Sequence, residues 1–160
     1  MLHINIICIG KLKEQYLKDA LNEYSKRLSK YCSLKILELP DEKIPENLNE
    51  NIINKIKDIE SNNILSHIKS DSYTIALDLH GKQFSSEEFS SKIENIALNQ
   101  NSNINFIIGG TLGLSDKLLK QSSELISFSK MTFPHQLIRI FLLEQLFRAF
   151  KILSNEKYHH

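Results

Sequence analysis

Two stretches of this chain have residue types and spacing that suit ligand chemistry. Gly109-Gly110-Thr111-Leu112-Gly113 places three glycines in five positions. Such a loop exposes backbone N–H groups and lets the backbone approach a ligand closely. The second stretch is SFSKMTFPHQLIRIFLLEQLFRAF, residues 127–150. It begins small and polar, is broken by Pro134, and then becomes densely apolar while still carrying Arg139, Glu144 and Arg148. The glycine loop does not have the G-x-G-x-x-G spacing and lacks the Lys-Ser/Thr of a P-loop, so neither a Rossmann dinucleotide nor a P-loop nucleotide is expected. Cys8 and Cys32 are too few and too far apart for a zinc knuckle or a redox pair, and no metal site is expected.

These residues need elements to position them. The Ile-rich run 2–9 predicts a strand, and Leu12, Tyr16, Leu17, Ala20, Leu21, Tyr24 and Leu28 recur at helical spacing over 11–31. Residues 33–39 predict a strand ended by Pro40. Helical period returns over 49–69, and 72–79 reads as a strand. Ser85 with Glu88 three residues later marks a helix start for the segment ending near 99. A buried strand at 104–110, a short helix at about 115–123, a strand around 124–129 and a long helix from Pro134 to about Leu153 complete the chain.

Alternating β and α segments predict an α/β fold with a mostly parallel sheet covered by helices. Each of the five glycines is expected just after a predicted strand. Ligands of open α/β sheets bind outside the carboxyl ends of the strands. With 160 residues and no linker or repeat, one domain is expected over 1–160. The 41% hydrophobic and 24% charged fractions are those of an ordinary globular protein. No apolar run is long enough to cross a membrane, and a cytoplasmic chain is expected.

The net charge of +1 hides a gradient: residues 38–60 hold seven acids and three bases, residues 130–160 five bases and two acids. A polyanionic partner should therefore meet the C-terminal end.

On the last helix, Ile138, Phe141, Leu142, Leu146, Ala149, Ile152 and Leu153 form a stripe expected to cover the sheet. Leu137, Ile140 and Phe147 fall on the opposite arc among the charged residues. A helix apolar on both sides is buried on both sides, and a second copy of the chain is the simplest cover. Glu144 and Arg148 stand at i, i+4. They read either as a surface ion pair worth about 0.3–0.5 kcal/mol or as polar groups at a dimer seam.

The combination IIGG…G (107–113), residues 127–150 and Tyr158-His159 is similar to the RlmH family, small SPOUT-class methyltransferases acting on large-subunit ribosomal RNA. IGKLKEQYLKDALNEYSKRL (9–28), PDEKIPEN (40–47) and ALDLHGK (76–82) extend the resemblance to the whole chain. It implies a SPOUT-type fold with a deep trefoil knot over about 104–154, a homodimer with a site shared between protomers, and methyl transfer from S-adenosyl-L-methionine to N3 of a pseudouridine in helix 69 of 23S rRNA, on the assembled ribosome.

Carried onto this chain, cofactor contacts fall at Leu77, Gly109, Phe128, Ser129, Lys130, Met131, Thr132 and Phe133. N3 carries a weakly acidic proton, and His159 is the candidate to accept it. Tyr158 would stack on or hydrogen-bond the base, Arg148 would hold phosphate or a developing oxyanion, and Glu144 is the reserve candidate for the base. His135, just inside a helix start, reads as a capping or core residue and is left out of catalysis.

Two departures stand out. Thr111-Leu112 replaces the Pro-Glu or Ser-Asn of relatives, so these side chains are not expected to be essential. His160 stands where a basic residue is common, which either weakens an RNA contact or marks an appended residue. The competing readings are a non-catalytic ribosome- or RNA-binding module and a SPOUT enzyme with another RNA target such as tRNA.

Overall fold

The computed structural model describes residues 1–99 and 101–158. Five strands alternate with five helices in chain order: β1 (Leu2–Ile9), α1 (Gln15–Leu28), β2 (Cys32–Leu39), α2 (Glu50–Leu65), β3 (Tyr73–Lys82), α3 (Ser86–Asn99), β4 (Asn103–Ile108), α4 (Asp116–Gln121), β5 (Glu124–Ile126) and α5 (His135–Leu153). The strands pair in the order β2-β1-β4-β3-β5, all parallel. The expected α/β architecture is what forms.

Strand sequence explains the two layers. In β1, Ile4, Ile6 and Cys8 face one side of the sheet and Ile7 and Ile9 the other; in β4, Ile104, Phe106 and Ile108 alternate with Ile107. Central strands apolar on both faces need helices on both faces. α1, α3 and α5 supply Leu28, Phe89, Ile93, Leu142 and Leu146 to the first side, and α2 and α4 supply Ile64 and Leu118 to the second. Cys8 and Cys32 are free and buried, as small core residues.

Helix ends follow local chemistry. The Asn49 side chain accepts from the Ile52 N–H at 2.9 Å and Ser85 Oγ accepts from the Glu88 N–H at 3.1 Å, so both helix starts are capped by side chains. The first helix begins later than its periodicity suggests, at Gln15, because Leu12 is drawn into the core and its N–H donates to Glu38 at 2.9 Å.

Two expectations need correction. Leu137, Ile140 and Phe147 were expected on a face left for a second copy. Instead Ile140 packs with Leu12 and Leu17 of the same chain, with Leu137 against that cluster, and Phe147 lies edge-on to Tyr24 and Tyr31. α1 covers that arc. The outward residues of α5 include Phe141, 37% exposed, and the half-buried Arg148 and Ile152. Phe141, expected to cover the sheet, is thus turned outward.

Gly81 was expected after a strand but lies within β3. There Leu77 and Lys82 both register with Ile126, so residues 78–81 are extruded from the ladder. A Cβ on Gly81 would fall 2.6 Å from backbone N and C atoms of Ile126. Backbone cannot yield as a flexible side chain can. Gly81→Ala should therefore cost about 1–3 kcal/mol, read as a lower urea midpoint. Gly113, with φ +88° but open space around it, should lose only the left-handed backbone cost of about 1–2 kcal/mol when changed to Ala. An equal or larger loss at Gly113 would contradict the crowding at Gly81.

Candidate active site

The carboxyl ends of β3, β4 and β5 open into a cleft of about 710 Å³. One wall is the glycine loop after β4. Gly113 N–H donates to Gly110 C=O at 3.1 Å, and Ser115 ends the loop by capping α4, its Oγ accepting from Leu118 N–H at 3.2 Å. Ser115 N–H in turn donates to the buried Ser61 Oγ at 2.9 Å, which ties the loop to α2. A Cβ on Gly109 would lie 3.0 Å from Leu114 and 3.1 Å from Gly113, so a side chain here would press the loop out of place.

The facing wall is the segment from β5 to α5. Ser127 N–H donates to Lys82 C=O at 3.0 Å, which stops β5 at Ile126, short of the strand expected through 129. Ser127 Oγ donates to Ser129 C=O at 2.8 Å, and Met131 N–H donates to Ser129 Oγ at 3.0 Å, so a folded turn presents Phe128, Thr132 and Phe133 to the cleft. Phe133 is steadied edge-on by Phe141, with ring centroids 5.5 Å apart. Met131 stands at the mouth, 74% exposed.

Of the eight residues expected at a cofactor site, Leu77, Gly109, Phe128, Ser129, Met131, Thr132 and Phe133 line this one cleft. Lys130 does not; it is exposed beside it. Among the lining residues not expected at the site are two titratable ones, Asp78 and His135. Asp78 is the only acidic or basic side chain of the lining apart from that histidine, and it sits in the extruded piece of β3 that no periodicity announces. No lysine or arginine lines the cleft, so it has no built site for a polyphosphate.

His135 lies at the start of α5, fixed by Arg139 one turn later. The Arg139 guanidinium is buried and donates to Glu38 Oε2 at 2.8 Å and to the carbonyls of Ile9 and Gly10, each at 2.9 Å. Burial lowers the His135 pKa below 6.5, and the charges of Arg139 and Lys13 add to this, while Asp41 opposes it.

The other expected residues form a separate cluster. Arg148 donates to Glu144 Oε1 through Nε at 3.0 Å and Nη2 at 2.7 Å, and Tyr158 O–H donates to Glu144 Oε2 at 2.8 Å. The Arg148 guanidinium lies 4.8 Å from the Tyr158 ring centre, and Tyr158 packs edge-on against Phe147. Burial and the Glu144 carboxylate raise the Tyr158 pKa, making it a hydrogen-bond donor rather than a base. Glu144, Arg148 and Tyr158 do not line the cleft. His159 lies outside the described residues. Among the described residues there is no cluster of three or more His, Cys, Asp or Glu that could hold a metal, and no helix long and apolar enough to cross a membrane.

A family model described as "Predicted SPOUT methyltransferase" matches residues 2–159. The chain belongs to the SPOUT methyltransferase family. Within it, the chain is 58% identical over 158 residues to "Ribosomal RNA large subunit methyltransferase H" of Clostridium botulinum (strain Langeland), covering 99% of each chain. It is 55% identical, at the same coverage, to "Ribosomal RNA large subunit methyltransferase H 1" of Clostridium perfringens (strain SM101). A probable methylase family protein from Haemophilus influenzae shares the fold, with a TM-score of 0.56 at 14% identity, covering 98% of this chain and 70% of that one. Membership implies a methyl donor, and the cleft is where these SPOUT elements converge.

A depressed His135 pKa has a definite sign in stability. The unfolded chain takes up the proton first, so the fold should lose stability as pH falls through 6.5 toward the native pKa. His135 followed by NMR should titrate below 6.5, and His135→Gln should flatten that part of the stability profile. Titration at or above 6.5 would contradict the burial beside Arg139.

Proposed function

We propose that this chain transfers a methyl group from S-adenosyl-L-methionine to N3 of pseudouridine 1915 in helix 69 of 23S rRNA. The supporting observation is the convergence of seven of the eight expected contact residues on one cleft. That observation is joined by full-length similarity to relatives named as methyltransferases of large-subunit ribosomal RNA.

The residues present suit that donor. Leu77, Ile108, Leu112, Phe128 and Phe133 offer apolar surface for an adenine ring, and the glycine loop lets backbone approach it. Asp78 gives a negative group for the positively charged end of the ligand. When bound, the donor supplies an electrophilic methyl on a sulfonium.

The chain must hold N3 in line with that methyl, and alignment alone supplies a large part of a methyl-transfer rate. It must also take up the N3 proton, which we assign to His159, and steady the charge that spreads over O2 and O4, which suits the Arg148 guanidinium. Tyr158, held by Glu144, offers its ring or hydroxyl to the base.

Arg148 and Tyr158 do not face their own cleft, so the site is shared in a homodimer. The partly exposed end of α5 around Arg148 and Ile152 is the proposed seat of the second copy, which would bring Arg148 and the tail of one protomer beside the cleft mouth of the other. The passage of Ile126 and Ser127 against Lys82 is where the proposed trefoil knot would thread.

Titration calorimetry should show S-adenosylmethionine binding and no NAD binding. Ribosomes from cells lacking the chain should gain one methyl at this pseudouridine, with protein-free 23S rRNA a far poorer substrate. Absence of binding heat and of methylation would favour a non-catalytic RNA-binding module; methylation confined to tRNA would overturn the target.

A further inference from the structure

Beside the cleft lies a second cavity of about 260 Å³ between the start of α3 and the middle of α5. Phe128 and Phe133 belong to both, so a group in either cavity rests against the same pair of rings. The remaining walls that matter are Phe84, Phe141, Ser86 and Gln145. This is an aromatic box with one carboxamide.

We infer that this cavity receives the flipped-out target base, and that it is built for a uracil-type ring rather than cytosine. The inference rests on the proposed methyl transfer. Size is the first ground: a cavity of about 260 Å³ has room for a single pyrimidine ring. Ring chemistry is the second. Every base has a π-face, and stacking on aromatic side chains is how unstacked RNA bases are held.

Hydrogen bonding is the third ground and gives the selectivity. Ser86 Oγ donates to Gln145 Oε1 at 2.7 Å, which leaves the Gln145 Nε2 hydrogens for another acceptor. Uracil and pseudouridine present carbonyl oxygens on both sides of N3, whereas cytosine presents an amino group on one. Set against the position-4 side of the ring, this donor pairs with the O4 carbonyl of the first kind and meets the amino group of cytosine. As N3 loses its proton, charge spreads onto those same carbonyls. A Gln145 N–H there gains strength as the reaction proceeds, while an amino edge would gain nothing.

Charge at the rim is the fourth ground. Lys82 Nζ and Lys92 Nζ lie 5.2 and 4.8 Å from the centre of the Phe84 ring. Lys92 is also paired with Glu124 at 2.8 Å, which leaves the exposed Lys82 as the more available cation for a flanking phosphate. The cleft, by contrast, has no lysine or arginine in its lining. The two cavities thus divide the work: apolar with one acid for the methyl donor, aromatic with an amide and a cationic rim for the nucleotide.

Gln145→Leu and Phe84→Ala test this together, because Gln145 lies on the outward face of α5 and Phe84 lies beyond it. Each protein is tested for S-adenosylmethionine affinity by calorimetry, for mass by light scattering and for methylation of undermodified ribosomes. Both variants should bind the donor as the wild type does, keep its mass and lose at least tenfold in kcat/KM. The wild type should leave untouched ribosomes carrying cytidine at the target position, and Gln145→Glu should fall below Gln145→Leu. Undiminished kcat/KM in both variants would overturn the inference. So would weaker donor binding or a changed mass, either of which would make the cavity part of the cofactor wall or of the dimer seat. A wild type that binds the donor but methylates no ribosome would instead refute the function on which the inference rests.

Discussion

The arrangement depends on a buried guanidinium. Arg139 joins the first turns of α5 to the carboxyl ends of β1 and β2, through Glu38 and two main-chain carbonyls. Glu38 Oε2 also accepts from Leu12 N–H, so one carboxylate oxygen gathers the entry to α1 and the start of α5. The guanidinium is buried while Glu38 reaches the surface, so losing Glu38 would leave a buried charge held by main-chain carbonyls alone and should destabilise the fold. Arg139 Nε alone has no partner among these contacts. A lysine would keep the charge but not the fork that reaches three acceptors at once.

This clamp matters because of what lies on either side of it in the chain. Upstream is the turn 127–134, tied otherwise by Ser127 to Lys82, by hydrogen bonds within the turn and by Phe133 against Phe141. Downstream is the helix that carries Phe141, Gln145 and Arg148. Fixing Arg139 therefore fixes the rim of the cleft and the rotational setting of α5 together. α1 then covers Ile140 and Phe147, and the outward face is left with a mixed set, Phe141 beside Gln145 and Arg148. A face of that composition suits a wet, shared site better than a dry core.

The pattern of the sequence carries most of the fold. Alternation in β1 and β4 places Ile6 and Phe106 on one side and Ile7 and Ile107 on the other, and the caps at Asn49 and Ser85 are local signals that remain local in the structure. The residues expected at a cofactor site came from the family motif, and the convergence of seven of them on one cleft follows from strand ends meeting at one edge. What was not legible depended on distance along the chain. Arg139 had no role assigned from the sequence, because its partner Glu38 lies 101 residues away. Asp78 lies in an extrusion of β3 created by Ile126 pairing with both Leu77 and Lys82. His135 looked like a core or capping residue, and it is half-buried; that the burial is in the wall of a cleft is a tertiary fact. The arc of Leu137, Ile140 and Phe147 was misread because helical periodicity shows that a face is apolar without showing what covers it.

A contact remote from the cleft sets its shape. Titration calorimetry of S-adenosylmethionine with Arg139→Lys, compared with the wild type at a temperature where both are folded by circular dichroism, tests this. Binding should be at least tenfold weaker although Arg139 does not line the cleft. Equal affinity in the folded variant would contradict it, and would place the origin of the cleft in the β5–α5 turn alone.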